Sequence, residues 1–364
     1  MPVIRLLFFL LLAFQVRVPG PGGESAGTGA PCTPANGYGY CRILTINPSQ
    51  VGGSNLSNFG VLVAATLGPS RIQNSNCNDV IFTSDSAGTT RVPWEQEACT
   101  PSTGAIMDWV GLSSISASAN TLFYVSYGNP AISTAQNTGS YAPSNVWDSN
   151  YTLIQHLGNG TTLSVADSTG NVSAVNDGAT AATGQIDGGA SLNGSSQYID
   201  DPMIIGYSAL TVEAWVYITG STGSNGRFVA NSHTDSDNNG FQFANYYGDL
   251  LWFDVGNGTA NSGQVFSPGI ATNTWTHGVA TYNGSTVNVY ANGVSGTAAS
   301  FTGPIHVSGY DVNVGRNSAY GGDYFGPYID EVRISNISRA SNWIIAEYNN
   351  QKPSSTFLTV GIEY

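Results

Sequence analysis

The chain reads as all-β, two β sandwiches with one short helix near the end. The first observation behind this is composition. Only 9% of the 364 residues are charged, 45 are glycine, and Asn, Ser and Thr carry most of the polarity. Turn-rich sandwiches have that make-up and long helices do not. The length leaves room for two domains of ordinary size. The second observation is the stretch Thr272–Val294. Trp275, His277, Val279 and Thr281 alternate along one run, and Val287, Val289 and Tyr290 lie in the next. Asn283-Gly284 between them, and Asn292-Gly293 after them, tolerate the positive φ that tight hairpin turns demand.

From the start, Arg5 precedes the apolar run Leu6–Phe14, too short to span a bilayer but suited to a signal peptide. Residues 1–30 are read as that signal and a Gly/Pro-rich leader, which makes the protein secreted or cell-surface. No other stretch is long and apolar enough for a membrane span. Cys32, Cys41, Cys77 and Cys99 are the only cysteines. An even number behind a signal suggests two disulfides, and three pairings are open. Proximity alone favours Cys32–Cys41 and Cys77–Cys99. The net charge of −13, with Lys352 the single lysine, excludes a basic nucleic-acid footprint. It also opposes anionic membranes and suits Ca²⁺ or neutral glycans. Asn55, Asn150, Asn159, Asn171, Asn193, Asn257, Asn283 and Asn336 head N-x-S/T sequons. These are glycosylation acceptors in a eukaryote or chance in an Asn-rich bacterial chain, and the composition favours chance.

Residues 31–145 form the first domain. Strands are expected at Arg42–Asn47, Phe59–Ala64, Asp79–Thr83, Ala105–Leu112 and Leu122–Tyr127, separated by polar turns such as Ser84–Gly88. Residues 146–351 form the second. Its strands are expected at Gln197–Ile199, Leu210–Ile218, Arg227–Ala230, Gly240–Asn245, Leu250–Asp254, the hairpin above, Val312–Val314 and Ile329–Ile334. Ser341–Asn349 reads as the one helix, N-capped by Ser341 and stopped before Pro353. Residues 352–364 end in a strand, Phe357–Ile362. Trp215, Trp275 and Trp343 are expected in the core.

Four blocks occur in one order: Ala190–Gly194 with Tyr198–Asp200, Leu210–Val216, Trp275–Gly293, and Tyr328–Ile334. Together they resemble the laminin-G-like, concanavalin A-like lectin jelly roll. In the first domain Leu44–Ile46, Asn58–Val63, Asp79–Asp85, Pro93-Trp-Glu-Gln-Glu97, Trp109-Val110 and Tyr127–Pro130 resemble domain of unknown function 2341, with Ser126 where that family often has Tyr. The likeness spans roughly residues 37–364. That family has no known activity, and one fold hosts many functions.

Alternation along Ile329–Ile334 sets Asp330 beside apolar Val332 and Ile334, so one carboxylate needs a partner. The resemblance implies a structural Ca²⁺ between Asp330 and the loop carrying Asp167 and Asn171. Asp235, Asp237 and Asn239 match the first half of an EF-hand loop, but Tyr246 stands where its last glutamate belongs. They are read as a second, weaker Ca²⁺ site or as a polar hairpin loop. Tyr320-Gly-Gly-Asp323-Tyr324 is the best candidate sugar loop, with Trp252 and Tyr247 as further aromatic faces. The competing reading of these aromatics is packing. His156 is read as packing on a strand. Glu213 and Glu331 lie on separate strands, and Glu95 and Glu97 in the other domain, without the E-x-D-x-E strand of jelly-roll glycosidases. The expected function is therefore non-catalytic recognition of carbohydrate or another extracellular polymer in adhesion. The alternative is a subunit of an extracellular filament or coat, its tail pairing with a neighbour's sheet edge.

Overall fold

The computed structural model describes residues 31–158, 162–220, 225–232, 234–247 and 249–364. The apolar run Leu6–Phe14 and the leader lie outside them. Pro31–Tyr364 is one compact unit.

The first sandwich faces a four-stranded sheet against a three-stranded one. The four run in the order Leu358–Glu363, Tyr40–Ile46, Thr121–Tyr127, Val80–Thr83. The three run Leu56–Thr66, Ala105–Ile115, Trp94–Thr100. Trp94–Thr100 escaped the sequence reading because its polar residues give no apolar alternation. The last strand of the chain pairs antiparallel with the first, Leu44 opposite Val360 and Ile46 opposite Leu358. The tail thus completes its own sheet. Cys32 is bonded to Cys41 and Cys77 to Cys99.

The second sandwich is the jelly roll. One sheet runs Val294–Ser300, Thr286–Ala291, Trp275–Tyr282, Leu210–Tyr217, Tyr328–Ser335, Gly188–Ser191, Thr180–Thr183, with Tyr151–Gln155 also on Tyr328–Ser335. The other runs Val265–Phe266, Leu250–Val255, Phe241–Tyr246, Arg227–Ala230, Val312–Val314, Tyr198–Asp201, Val175–Asp177. Between them Val212, Ala214, Val216, Phe228, Phe241, Phe243, Phe253 and Ala280 form a dry core. The alternate residues of the central strands, Glu213, Trp215, His277 and Val279, turn to the opposite face of their sheet.

That opposite face is covered by the helix, Ser341–Gln351. Ser341 is its first residue; the N-cap is Ala340, without a side-chain bond. The helix is apolar and polar on two sides because it packs on both sandwiches. Trp343 and Ala346 join the core of the first sandwich, while Ile344 packs on Val279 and Tyr290 of the second. Trp343 and Trp215 are therefore buried at the junction, and Trp275 is only half-buried, edge-on to Tyr217. Asn350 holds the helix to the free edge of Leu56–Thr66. It accepts from the Leu62 N–H at 2.7 Å and donates to the Leu62 carbonyl at 3.1 Å, as a further strand would.

Candidate functional site

The expected sugar loop lies across the outer face of the seven-stranded sheet. Its anchor is Arg227, on the strand Arg227–Ala230. The guanidinium pairs with Asp323 at 2.9 Å and bonds Gln242 at 2.8 Å, and the Arg227 N–H donates to the Asp323 carbonyl. Asn317 donates to the same Gln242 oxygen. Asp323 also accepts the Tyr320 hydroxyl. The loop is thus held to the sheet by one buried arginine, and Tyr320 remains 54% exposed. The structure brings Tyr320, Asp323 and Trp252 together, but Trp252 is fully buried beneath Arg227. It is a floor under the cation, not a platform for a ligand. Tyr324 is half-buried. Tyr247 is 51% exposed at the tip of the Tyr246–Leu250 turn, edge-on to Tyr246. Arg227 is the residue that sequence reasoning missed; its place in an apolar strand, Arg-Phe-Val-Ala, was the available signal.

The expected calcium ligands are engaged otherwise. Asp167 accepts N–H groups from Ile154, Thr169, Asn171 and Val172 and the Thr169 hydroxyl, all within 2.6–3.0 Å. Five donors surround the carboxylate where Ca²⁺ would require oxygens, and Asn171 contributes an N–H. This donor set does not fit Ca²⁺. Asp330 accepts instead from the Gln185 and Ile186 N–H groups. Burial and neighbouring Glu331 push its carboxyl well above the usual range. In the second loop, Thr234–Asp237 is a helical turn and the Asn238 carbonyl accepts from Gly258. Asp237 is exposed and Asn239 half-buried; the Asp235 side chain lies outside the described residues.

A larger polar constellation sits between the sandwiches. Glu95 and Glu97 both turn from Trp94–Thr100 towards His156, Glu97 at a break in register between Gln96 and Ala98. Glu331 arrives by a bulge. It has φ +51°, and the register slips between the Glu213–Arg333 and Trp215–Asp330 pairs. This buries both Asp330 and Glu331 where simple alternation would bury one. His156 Nδ1 is 2.8 Å from Glu331 and 3.8 Å from Glu97, and its Nε2 is 3.3 Å from Glu95. Its ring lies between Trp109 and Trp147, 5.6 Å from each. Burial alone would lower the imidazole pKa; Glu331 and Glu95 overrule it and hold the ring protonated. Burial opposes charge on Glu331 too, but His156 and Arg333 keep it ionised. For Glu97 the pull of His156 and Trp109 is outweighed: burial and then Glu331 push it well above the carboxylate range. Further in, burial and Glu347 likewise raise Glu213. Burial and then Arg333 lower His277 to about 3. Trp109, Trp147, Ser168, Tyr151 and His156 each bond a carboxylate oxygen here, while Glu97 Oε1 is buried without a partner.

The open cleft is elsewhere along the junction. A groove of about 930 Å³ is lined by Asn55, Arg91, Asn145, Asp148, Arg339 and Asn342 among others. Arg339 crosses its wall in a two-pronged pair with Asp148 at 2.5 and 2.9 Å.

A family model, Laminin_G_3, described as the concanavalin A-like lectin/glucanases superfamily, matches residues 193–345. The second sandwich is thus a concanavalin A-like domain, and the model does not reach the first. No curated protein matches the chain. Among solved structures, domain 4 of a GH43 extracellular arabinanase from Geobacillus stearothermophilus, in complex with arabinotriose, is 20% identical. It covers 54% of this chain and 97% of that one, at a TM-score of 0.42. The binding domain of Paraclostridial Mosquitocidal Protein 1 is 15% identical, covering 55% of this chain and 52% of its own, at 0.45. The Ruminococcus gnavus IT-sialidase CBM40 bound to α2,3 sialyllactose is 11% identical, covering 44% and 96%, at 0.37. Likenesses this distant carry no functional argument. Among the described residues, no helix is long and apolar enough to cross a membrane.

Proposed function

We propose that the protein is a secreted or surface-exposed, non-catalytic binder of carbohydrate, recognising a glycan of an extracellular polymer in adhesion. The observation that carries this reading is Tyr320, an exposed ring whose hydroxyl is set by Asp323 and, through it, by Arg227. An aromatic face suits the C–H face of a sugar, and fixed polar groups beside it suit its hydroxyls. Two disulfides support an oxidising, extracellular compartment. On this reading the first sandwich is a module like domain of unknown function 2341, and its acids serve packing rather than hydrolysis. The internal pairing of the tail supports a binder over a filament subunit joined through that tail. A glycan array with the full chain tests the reading, alongside a reducing-sugar assay on the glycans it retains. Retention of a glycan class without sugar release is expected. Sugar release would make the protein an enzyme, and no retention of any glycan would remove the binding role.

A further inference from the structure

We propose that Glu97, His156 and Glu331 form a site for one divalent transition-metal ion, of the zinc class, that clamps the two sandwiches together. Their ligand atoms all lie within 4.8 Å of one another. They come from three separate segments: Glu97 from Trp94–Thr100, His156 from just beyond Tyr151–Gln155, and Glu331 from Tyr328–Ser335. An acidic cluster alone would not make a site, but here an unpartnered atom points to a ligand. The Glu97 side chain is only 2% exposed. Its Oε2 accepts from the Trp109 indole at 2.7 Å, and its Oε1 is buried without a hydrogen-bond partner. A buried carboxylate oxygen left this way calls for a cation.

The surroundings are built as an outer shell. Arg333 Nη2 holds Glu331 Oε2 at 2.5 Å, which leaves Oε1 directed at His156 Nδ1. The far nitrogen of the imidazole faces the Glu95 carboxylate, and the two indoles fix the plane of the ring. A ligating histidine is ordinarily oriented by such a carboxylate on its other nitrogen, and binding of the ion displaces the protons of His156 Nδ1 and Glu97 to solvent. One imidazole and two carboxylates select zinc, manganese or iron over Ca²⁺, which takes oxygen ligands. A fourth position is left to water. Glu95, at 14% exposure, and Ser168 form the outer boundary of the site.

The test is calorimetric titration of the chelator-stripped full chain with ZnCl2, MnCl2 and CaCl2. One equivalent of Zn²⁺ is expected, and no heat of binding from Ca²⁺. Glu97→Gln keeps an oxygen for the Trp109 indole, so it should fold, and its Zn²⁺ affinity should fall about 100-fold. Glu95→Gln should weaken Zn²⁺ about 10–100-fold by loosening the imidazole. Zinc-edge X-ray absorption on the wild-type protein reads the site even where a variant fails to fold. A nitrogen/oxygen shell with one imidazole supports the clamp. Absence of stoichiometric Zn²⁺ binding, full affinity in folded Glu97→Gln, or a shell without imidazole would each overturn it.

Discussion

Replacing Asn350 by alanine tests whether the helix really welds the two sandwiches. Leu56–Thr66 is an edge strand, and at Leu62 its outward N–H and C=O both bond the Asn350 carboxamide, at 2.7 and 3.1 Å. Leu62 and Asn350 are both buried, at 7% and 6% exposure. Alanine leaves one donor and one acceptor of the backbone unsatisfied, each costing about 1–3 kcal/mol. The loss is therefore about 2–6 kcal/mol in total. Taking an unfolding entropy of about 2.1 cal/mol/K per residue over the compact unit, this lowers Tm by roughly 3–9 °C. Scanning calorimetry at neutral pH reads it. The Trp fluorescence transition should move with it, because Trp343 lies in this helix and Trp215 packs on its Tyr348. A Tm within about 1 °C of wild type would refute the argument, since it would mean that water satisfies Leu62 as well as Asn350 does.

Two further outcomes follow from buried or saturated carboxylates. Asp201 is fully buried, and burial raises its pKa to about 8, against the pull of its Gln155 hydrogen bond. Between about pH 4 and 8 the folded chain holds a proton that the unfolded chain has lost, so stability falls as pH rises through that window. The slope is up to about 1.4 kcal/mol per pH unit, flattening above pH 8. Asp201→Asn should remove this component of the slope and be more stable than wild type at pH 9 in urea titrations; an unchanged slope would show that Asp201 is ionised in the fold. Millimolar CaCl2 added to chelator-stripped protein should leave Tm unchanged, because N–H and hydroxyl donors already surround Asp167; a rise of several degrees would return calcium to that loop.

Most strands were legible because their apolar residues alternate and their turns carry Gly and Asn. Leu210–Tyr217 and Trp275–Tyr282 are of this kind, and both were expected within a residue or two. What alternation could not show was the partner of the second face. Glu213 and His277 look like ordinary outward residues until the helix and the first sandwich cover them. Trp94–Thr100 was missed because its polar residues give no apolar alternation, and the buried partner of Glu95 and Glu97, His156, lies some sixty residues on. Asp330 was singled out correctly as a buried acid, but a left-handed residue at Glu331 buried its neighbour too, and no periodicity foretells a bulge. The loop Tyr320-Gly-Gly-Asp323 could be singled out in the sequence, whereas the cation that seats it belongs to a strand almost a hundred residues earlier.

The most direct test of the proposed binding role is the affinity of a retained oligosaccharide for wild type, Tyr320→Ala and Tyr247→Ala, by titration calorimetry. Tyr320→Ala removes a 54% exposed ring and its hydroxyl's bond to Asp323, both outside the two cores, so its Tm should fall by no more than a few degrees. The account predicts a loss of at least about tenfold in affinity, roughly 1.4 kcal/mol, for Tyr320→Ala. Undiminished binding by that variant would contradict the account, and would move the ligand away from Tyr320 to another surface, with the groove beside Arg339 the first to examine.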